Sequence, residues 1–141
     1  MRDKIFIDTN ILIYAYTEKE IEKQNTAIKV LYSNRKNIVI STQVVNEFSS
    51  ALIRKYKVKP DILSPRVKEF FTLFNVALIY YSTIEKAFDL IQKYNFSYYD
   101  SLIVSSALEN ECSILYSEDM HHGLVVENKL KIINPFKEGK L

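Results

Sequence analysis

Cys112 is the only cysteine in 141 residues, so no intrachain disulfide can form and a reducing cytoplasm is the expected setting. Two glycines and three prolines are too few for long flexible linkers. The two histidines are adjacent, His121-His122, and such a pair without other nitrogen or sulfur partners is a poor zinc site. No Gly-rich phosphate loop, serine nucleophile elbow or zinc-knuckle spacing occurs. No apolar stretch approaches membrane-spanning length and Met1-Arg2-Asp3-Lys4 lacks a signal-peptide pattern, so no membrane partner is expected. Excess charge is also scarce. The formal net charge of +2 does not by itself announce a nucleic-acid binder. Basic residues nevertheless gather at Arg35-Lys36, at Arg54-Lys55 with Lys57 and Lys59, and at Arg66 with Lys68. Each cluster can engage phosphates or can simply be a solvated helix end.

What is present is a balanced globular chain, 48% hydrophobic and 26% charged, of a length that suits a single domain over residues 1–141. Lys4-Ile5-Phe6-Ile7 is a short apolar run without alternation, which reads as a strand covered on both faces of a parallel sheet. Helical stretches are expected over Ile11–Tyr16 and Lys19–Ser33, then a β-branched strand, Ile38-Val39-Ile40. Strand, helix and strand in this order make a right-handed βαβ unit. Ser41 or Thr42 caps the next helix, which runs to about Tyr56. Pro60 and Pro65 mark a loop, with another helix from Val67 to Phe74. Val76–Tyr80 reads as a third strand and Thr83–Tyr94 as a helix. Ser97 opens a further helix through Leu108, Ser113–Ser117 is a fourth strand, and Lys131–Asn134 a fifth, stopped by Pro135.

Four acids are placed unusually by this pattern. Asp8 and Asp119 follow strands at their carboxyl ends, where open parallel sheets bind ligands near the reversal of strand order. Glu47 shares a helix side with Val44 and Ala51, and Asp100 with Ile103, Val104 and Ala107, so both lean toward the apolar side. Four carboxylates meeting at one edge repel unless some are protonated or a divalent cation neutralises them. Oxygen-only ligands suit Mg²⁺ or Mn²⁺, which can activate water for hydrolysis of a phosphodiester.

The segments Ile7-Asp8-Thr9-Asn10, Val45-Asn46-Glu47-Phe48, Tyr99-Asp100-Ser101-Leu102-Ile103 and Tyr116-Ser117-Glu118-Asp119-Met120 resemble the four acidic motifs of the PIN-domain ribonucleases. Within that family the chain is most similar to the VapC toxins of toxin–antitoxin systems. His121-His122-Gly123 through Asn134-Pro135-Phe136 resembles the common close of these small proteins. The resemblance implies a three-layer α/β/α fold with a mostly parallel five-stranded sheet, and Mg²⁺- or Mn²⁺-dependent cleavage of RNA. It also implies Asp8, Glu47, Asp100 and Asp119 as catalytic metal ligands, a homodimer, and an antitoxin partner whose tail folds onto the toxin. Thr9, Asn10 and Ser117 match polar residues beside the acids, and Glu118 can substitute for or assist Asp119.

Other residues have plainer readings. Cys112 is most simply a small buried apolar residue, since no activating base is identifiable. Tyr14, Tyr16 and Tyr98-Tyr99 lie near the acids and can stack bases or pack as boundary residues. Phe48, Tyr56, Phe70, Phe71 and Phe74 are either ordinary core or an exposed groove for an amphipathic helix. The competing functions are a phosphatase-like enzyme with Asp8 as nucleophile and a non-catalytic module of this fold that binds nucleic acid or protein. The first lacks a second Asp two residues on. The second leaves four inward acids, costly to stability, without a use.

Overall fold

The apolar run at the start of the chain forms strand β1, Lys4–Ile7, with Ile5, Phe6 and Ile7 all buried. The computed structural model describes residues 3–137. Met1, Arg2 and positions 138–141 lie outside the described residues, and with them the ends of the expected 1–141 domain. Helices α1 (Thr9–Tyr16) and α2 (Ile21–Ser33) lead to β2 (Ile38–Ser41), whose four residues are all buried. Helix α3 (Thr42–Arg54) is capped by Ser41, whose Oγ accepts the Val44 N–H at 3.3 Å. Helix α4 (Pro60–Leu73) and the short β3 (Asn75–Ala77) follow. Helices α5 (Tyr81–Tyr94) and α6 (Tyr98–Glu109) precede β4 (Cys112–Tyr116), β5 (Val125–Val126) and β6 (Leu130–Ile133).

The strands form one sheet in the order β3-β2-β1-β4-β6-β5, parallel throughout except for the β5–β6 pair. Successive parallel strands run outward from β1 to β3, and the chain then returns to place β4 on the other side of β1. The reversal of strand order therefore lies between β1 and β4. Helix α1 packs on both α2 and α3, and α3 on α4, while α5 and α6 form a separate pair with α6 over β2 and β4. The result is the expected α/β/α arrangement with a mostly parallel sheet.

Three details differ from the sequence reading. Helix α4 runs from Pro60 straight through Pro65. Pro60 occupies the first turn, where its missing N–H is not needed. Pro65 removes one internal bond, and burial of Leu63 and Phe70 on either side of it holds the helix together. The third strand is shorter than Val76–Tyr80. Its only neighbour, β2, ends at Ser41 opposite Ala77 because α3 begins there, so residues after Ala77 have no ladder to join. The sheet also has six strands instead of five. The extra strand β5 has two residues, too few for any periodicity, and exists because Glu127 and Asn128 both take positive φ (54° and 58°) in a tight hairpin turn closed by Lys129 N–H to Val126 O at 3.0 Å. Glu127 then anchors this hairpin to α5 through Lys86 at 3.1 Å and Lys93 at 3.6 Å. With glycine scarce, Lys57, Asn95 and Glu111 fill other left-handed positions, and Asn95 does so as the C-cap of α5.

An aromatic cluster joins α1, α3 and α4. Phe48 and Phe70 are fully buried with ring centroids 4.9 Å apart, and Tyr16 meets both edge-on at 5.6 and 5.5 Å. These rings are core, and Tyr16 is therefore a packing residue. Phe70→Ala should lower stability by about 3–5 kcal/mol, the usual cost of emptying a buried phenylalanine site. Urea denaturation checks this; a loss below about 1 kcal/mol would mean the cluster collapses to fill the space.

Candidate active site

Strand β1 ends by delivering Asp8 directly beside β4. The Asp8 N–H donates to Tyr116 O at 3.0 Å, which continues the parallel ladder one residue past β1. Its carboxylate caps α1 by accepting the Thr9 N–H at 2.7 Å, and it accepts the Ser117 hydroxyl at 2.8 Å. Asp8 is 8% exposed. Burial pushes its carboxyl from 3.8 up to about 6, against the lowering pull of Ser117 and Thr9; the charges of Asp100 and Glu47 add to the rise.

The other three acids arrive from elements that leave the same edge. Glu47 stands in the second turn of α3 and accepts the Thr9 hydroxyl at 2.6 Å and the Gln43 amide at 3.1 Å. Asp100 lies in the first turn of α6, whose cap Ser97 accepts the Asp100 N–H at 3.2 Å. Burial raises the Asp100 carboxyl, Ser97 lowers it, and Asp119 and Glu47 raise it further by charge. Asp119 follows β4 and accepts the Asn10 side-chain amide. Asp8 thus feels Asp100 and Glu47, Asp100 feels Asp119 and Glu47, and the charges that act on both are all negative. Each carboxylate is turned onto a hydroxyl, an amide or a backbone N–H. As they stand, no three His, Cys, Asp or Glu side chains among the described residues are gathered into a group that could hold a metal ion. Their chemistry is nonetheless that of a hard-cation site, all oxygen and excess negative charge.

Glu118 does not share this cluster. It pairs with the Lys23 ammonium and accepts the Tyr14 hydroxyl at 2.7 Å, while Lys23 sits over the Tyr14 and Phe136 rings at 4.9 and 5.5 Å. Tyr14 is thereby committed to the clamp, not to a free stacking face. Asn134 adds a bond from its amide to Glu118 O at 3.3 Å, and its N–H donates to His122 Nδ1 at 2.9 Å. These contacts tie the segment after β4 to α1, α2 and the end of β6, with Glu118 on one side and Asp119 on the other. Cys112 is buried, and burial pushes its thiol up to about 12, which leaves it inert at neutral pH.

A cleft of about 650 Å³ opens beside Glu47, lined by Thr42, Gln43, Ala51, Arg54, Ile79 and Tyr99 among others. Gln43 is the residue that motif reading missed. Its place four residues before Glu47, one helical turn away on α3, was the available signal.

A PIN domain family model matches residues 5–124. Among solved structures, a toxin–antitoxin complex from Klebsiella pneumoniae aligns at 19% identity and a TM-score of 0.73, covering 95% of this chain and 99% of that one. A VapC toxin of Mycobacterium tuberculosis described as cleaving the sarcin–ricin loop aligns at 17% identity and a TM-score of 0.69, covering 82% and 90%. The VapBC2 complex of Rickettsia felis, bound to a DNA fragment from its promoter, aligns at 18% and 0.63, covering 92% and 98%. At these identities the likeness is one of fold. Among curated proteins none matches the sequence.

The pH dependence of stability follows from the direction of the Asp8 shift. Folded Asp8 holds its proton more tightly than unfolded Asp8, so its contribution is full below 3.8 and is lost as pH rises through about 6. In the presence of chelator, Asp8→Asn should therefore be at least as stable as the parent near neutral pH. That advantage should shrink as pH falls toward about 4. Urea denaturation at a series of pH values checks this, and an unchanging difference between variant and parent would place the burial cost elsewhere.

Proposed function

The chain belongs to the PIN domain family, and from that premise we propose that it is a metal-dependent endoribonuclease, the toxin of a toxin–antitoxin pair. The observation that carries this reading is the coupling of Asp8, Glu47, Asp100 and Asp119 at the carboxyl edge of the sheet, where strand order reverses. A buried acid such as Asp8, with Asp100 and Glu47 raising its pKa further by charge, is expensive unless a cation or a reaction uses it. One structural neighbour, a toxin–antitoxin complex, supports the pairing with an antitoxin, and another, described as a sarcin–ricin-loop-cleaving toxin, supports the cleavage.

In this proposal the four acids hold Mg²⁺ or Mn²⁺. When bound, the ion neutralises the cluster, polarises a phosphate oxygen and makes a water nucleophilic near neutral pH. The protein's own groups position the acids. Ser117 and the Thr9 N–H fix Asp8, the Thr9 hydroxyl and Gln43 fix Glu47, and Asn10 restrains Asp119. These donors are weaker partners than a cation, so the carboxylates can turn from them without breaking the fold. Water adds to phosphorus and a sugar oxygen leaves, and the acids nearest the reacting groups take and return the proton.

The partner surface follows from exposed apolar residues. Of the five aromatics between β2 and β3, Phe48 and Phe70 are core, whereas Phe71 is 55% exposed and Phe74 borders a groove. That groove, about 480 Å³, lies between α1, α2 and the end of α4 and includes Tyr16, Ile28, Leu31, Tyr32, Leu73 and Phe74, with Arg35 and Lys36 at its rim. Tyr32 and Leu73 are 66% and 60% exposed. We place an amphipathic helix of the antitoxin there, its acidic residues facing Arg35 and Lys36. A homodimer is proposed on the same family grounds.

Two experiments test the proposal. Asp8→Asn and Asp100→Asn should each cut Mg²⁺- or Mn²⁺-dependent RNA cleavage by roughly a hundredfold or more, the order contributed by one positioned group, with the circular dichroism spectrum unchanged. Cleavage at the parent rate by either variant removes that acid from the mechanism; a parent inert toward RNA leaves the non-catalytic reading. Separately, co-expression with the protein from the adjacent reading frame should yield a complex of defined mass in which cleavage is suppressed. Leu73→Glu should break that complex by placing an unpaired charge in the groove, and an intact complex would move the partner to another face.

A further inference from the structure

The cleft beside Glu47 is built differently from the antitoxin groove. Its near end borders the acid cluster through Glu47, and its far end carries Arg54, two turns or about 10 Å along α3. A smaller hollow of about 350 Å³ continues along the same helix between Ser50, Ala51, Arg54 and Lys55. One wall is flat and apolar, formed by Ile79 and by Tyr99, which is 63% exposed. Tyr99 meets Tyr98 in an edge-to-face contact at 5.3 Å and directly precedes Asp100 in α6. Gln43 also lines the cleft. Its amide nitrogen donates to Glu47 at 3.1 Å and to the Tyr99 carbonyl at 3.2 Å, which fixes the amide orientation. Its Oε1 is buried and has no donor.

We infer that this cleft is a subsite for one unpaired nucleotide of the RNA strand, adjoining the phosphate that is cut. The inference rests on the ribonuclease reading of the acid cluster and adds the chemistry of the substrate that the cluster meets. Tyr99 stacks on the base, and Gln43, held by Glu47 and the Tyr99 carbonyl, keeps the start of α6 against α3 so that this ring stays at the cleft. Arg54 and Lys55 take the next phosphate, beyond the repulsion of the acids. A flat ring accepts any base, because every base has a π-face, so the subsite selects for unpaired structure more than for sequence. Base-paired RNA keeps both faces of its bases stacked and cannot use the wall. The basic pair Arg54-Lys55 thereby acquires a position-specific use within a chain that is nearly neutral overall.

The test separates binding from cleavage. In an Asp8→Asn background with Mg²⁺ present, fluorescence anisotropy measures the affinity for a labelled single-stranded RNA of about eight nucleotides and for the same strand paired to its complement. Adding Tyr99→Ala should weaken single-strand binding about tenfold, the loss of one stacked base, while Tyr99→Phe should restore it. Arg54→Ala should flatten the dependence of log affinity on log salt by about 0.7, the value for one phosphate contact on a single strand. Equal affinity for Tyr99→Ala and Tyr99→Phe, or duplex bound as tightly as single strand, would overturn the subsite. Cleavage by the parent alongside either of those results would leave the ribonuclease reading standing and only the subsite refuted. A parent that cleaves no RNA with Mg²⁺ or Mn²⁺ would remove the reading itself, whatever the binding data.

Discussion

Repulsion between carboxylates held at one edge of a parallel sheet is the constraint to which the rest of this molecule answers. Parallel strands need both faces covered, so the sheet is buried and the groups at its carboxyl edge are partly withdrawn from water. Asp8 is the extreme case, with Ser117 and the Thr9 N–H as its immediate partners and other acids beyond them. Folding must hold that charge in place against its own cost. It does so with donors drawn from the same short motifs: Thr9 to Glu47, Asn10 to Asp119, and Ser117 to Asp8. The first and last motifs thus each supply both an acid and a restraint on an acid from another motif.

The clamp around Glu118 shows how neighbouring residues of like chemistry are given different tasks. Glu118 and Asp119 are adjacent and both acidic, yet one closes onto Lys23 and Tyr14 while the other turns toward Asn10. The ammonium of Lys23 is held further by two rings, and its hydrogen bond to Glu118 raises its affinity for the proton. Salt bridges of this half-exposed kind contribute little to net stability. Their value here is geometric, because the segment after β4 must present Asp119 to residues that come from the start of the chain.

The surface divides along similar lines. One depression, between α1, α2 and α4, is apolar with cations at its rim, and the other, along α3, runs from an acid past an exposed ring to cations. The two lie on different combinations of elements, have different chemistry and share no lining residue, so the proposed antitoxin helix and the proposed nucleotide do not compete for the same groups. The aromatic cluster of Tyr16, Phe48 and Phe70 lies between α1, α3 and α4 and braces the elements that form both.

Much of this was determined by local sequence. The unbroken apolar runs of β1 and β2, the caps Asp8, Ser41 and Ser97, and the order of strands and helices specify a parallel α/β sheet, because periodicity and capping act within a few residues. The inward lean of Glu47 and Asp100 was legible for the same reason. Tertiary structure alone decided the rest. Strand β3 is short because β2 stops beside it, β5 exists because a two-residue turn folds it onto β6, and α4 passes through Pro65 because buried neighbours hold it. The turn of Glu118 onto Lys23 and of Asp119 toward Asn10, and the contacts of Gln43 with Glu47 and Tyr99, were settled in the folded chain. A pattern of residue types states which groups are available; which of them meet is set by packing, since only the folded chain brings Lys23 to Glu118 and leaves Asp119 to face the other acids.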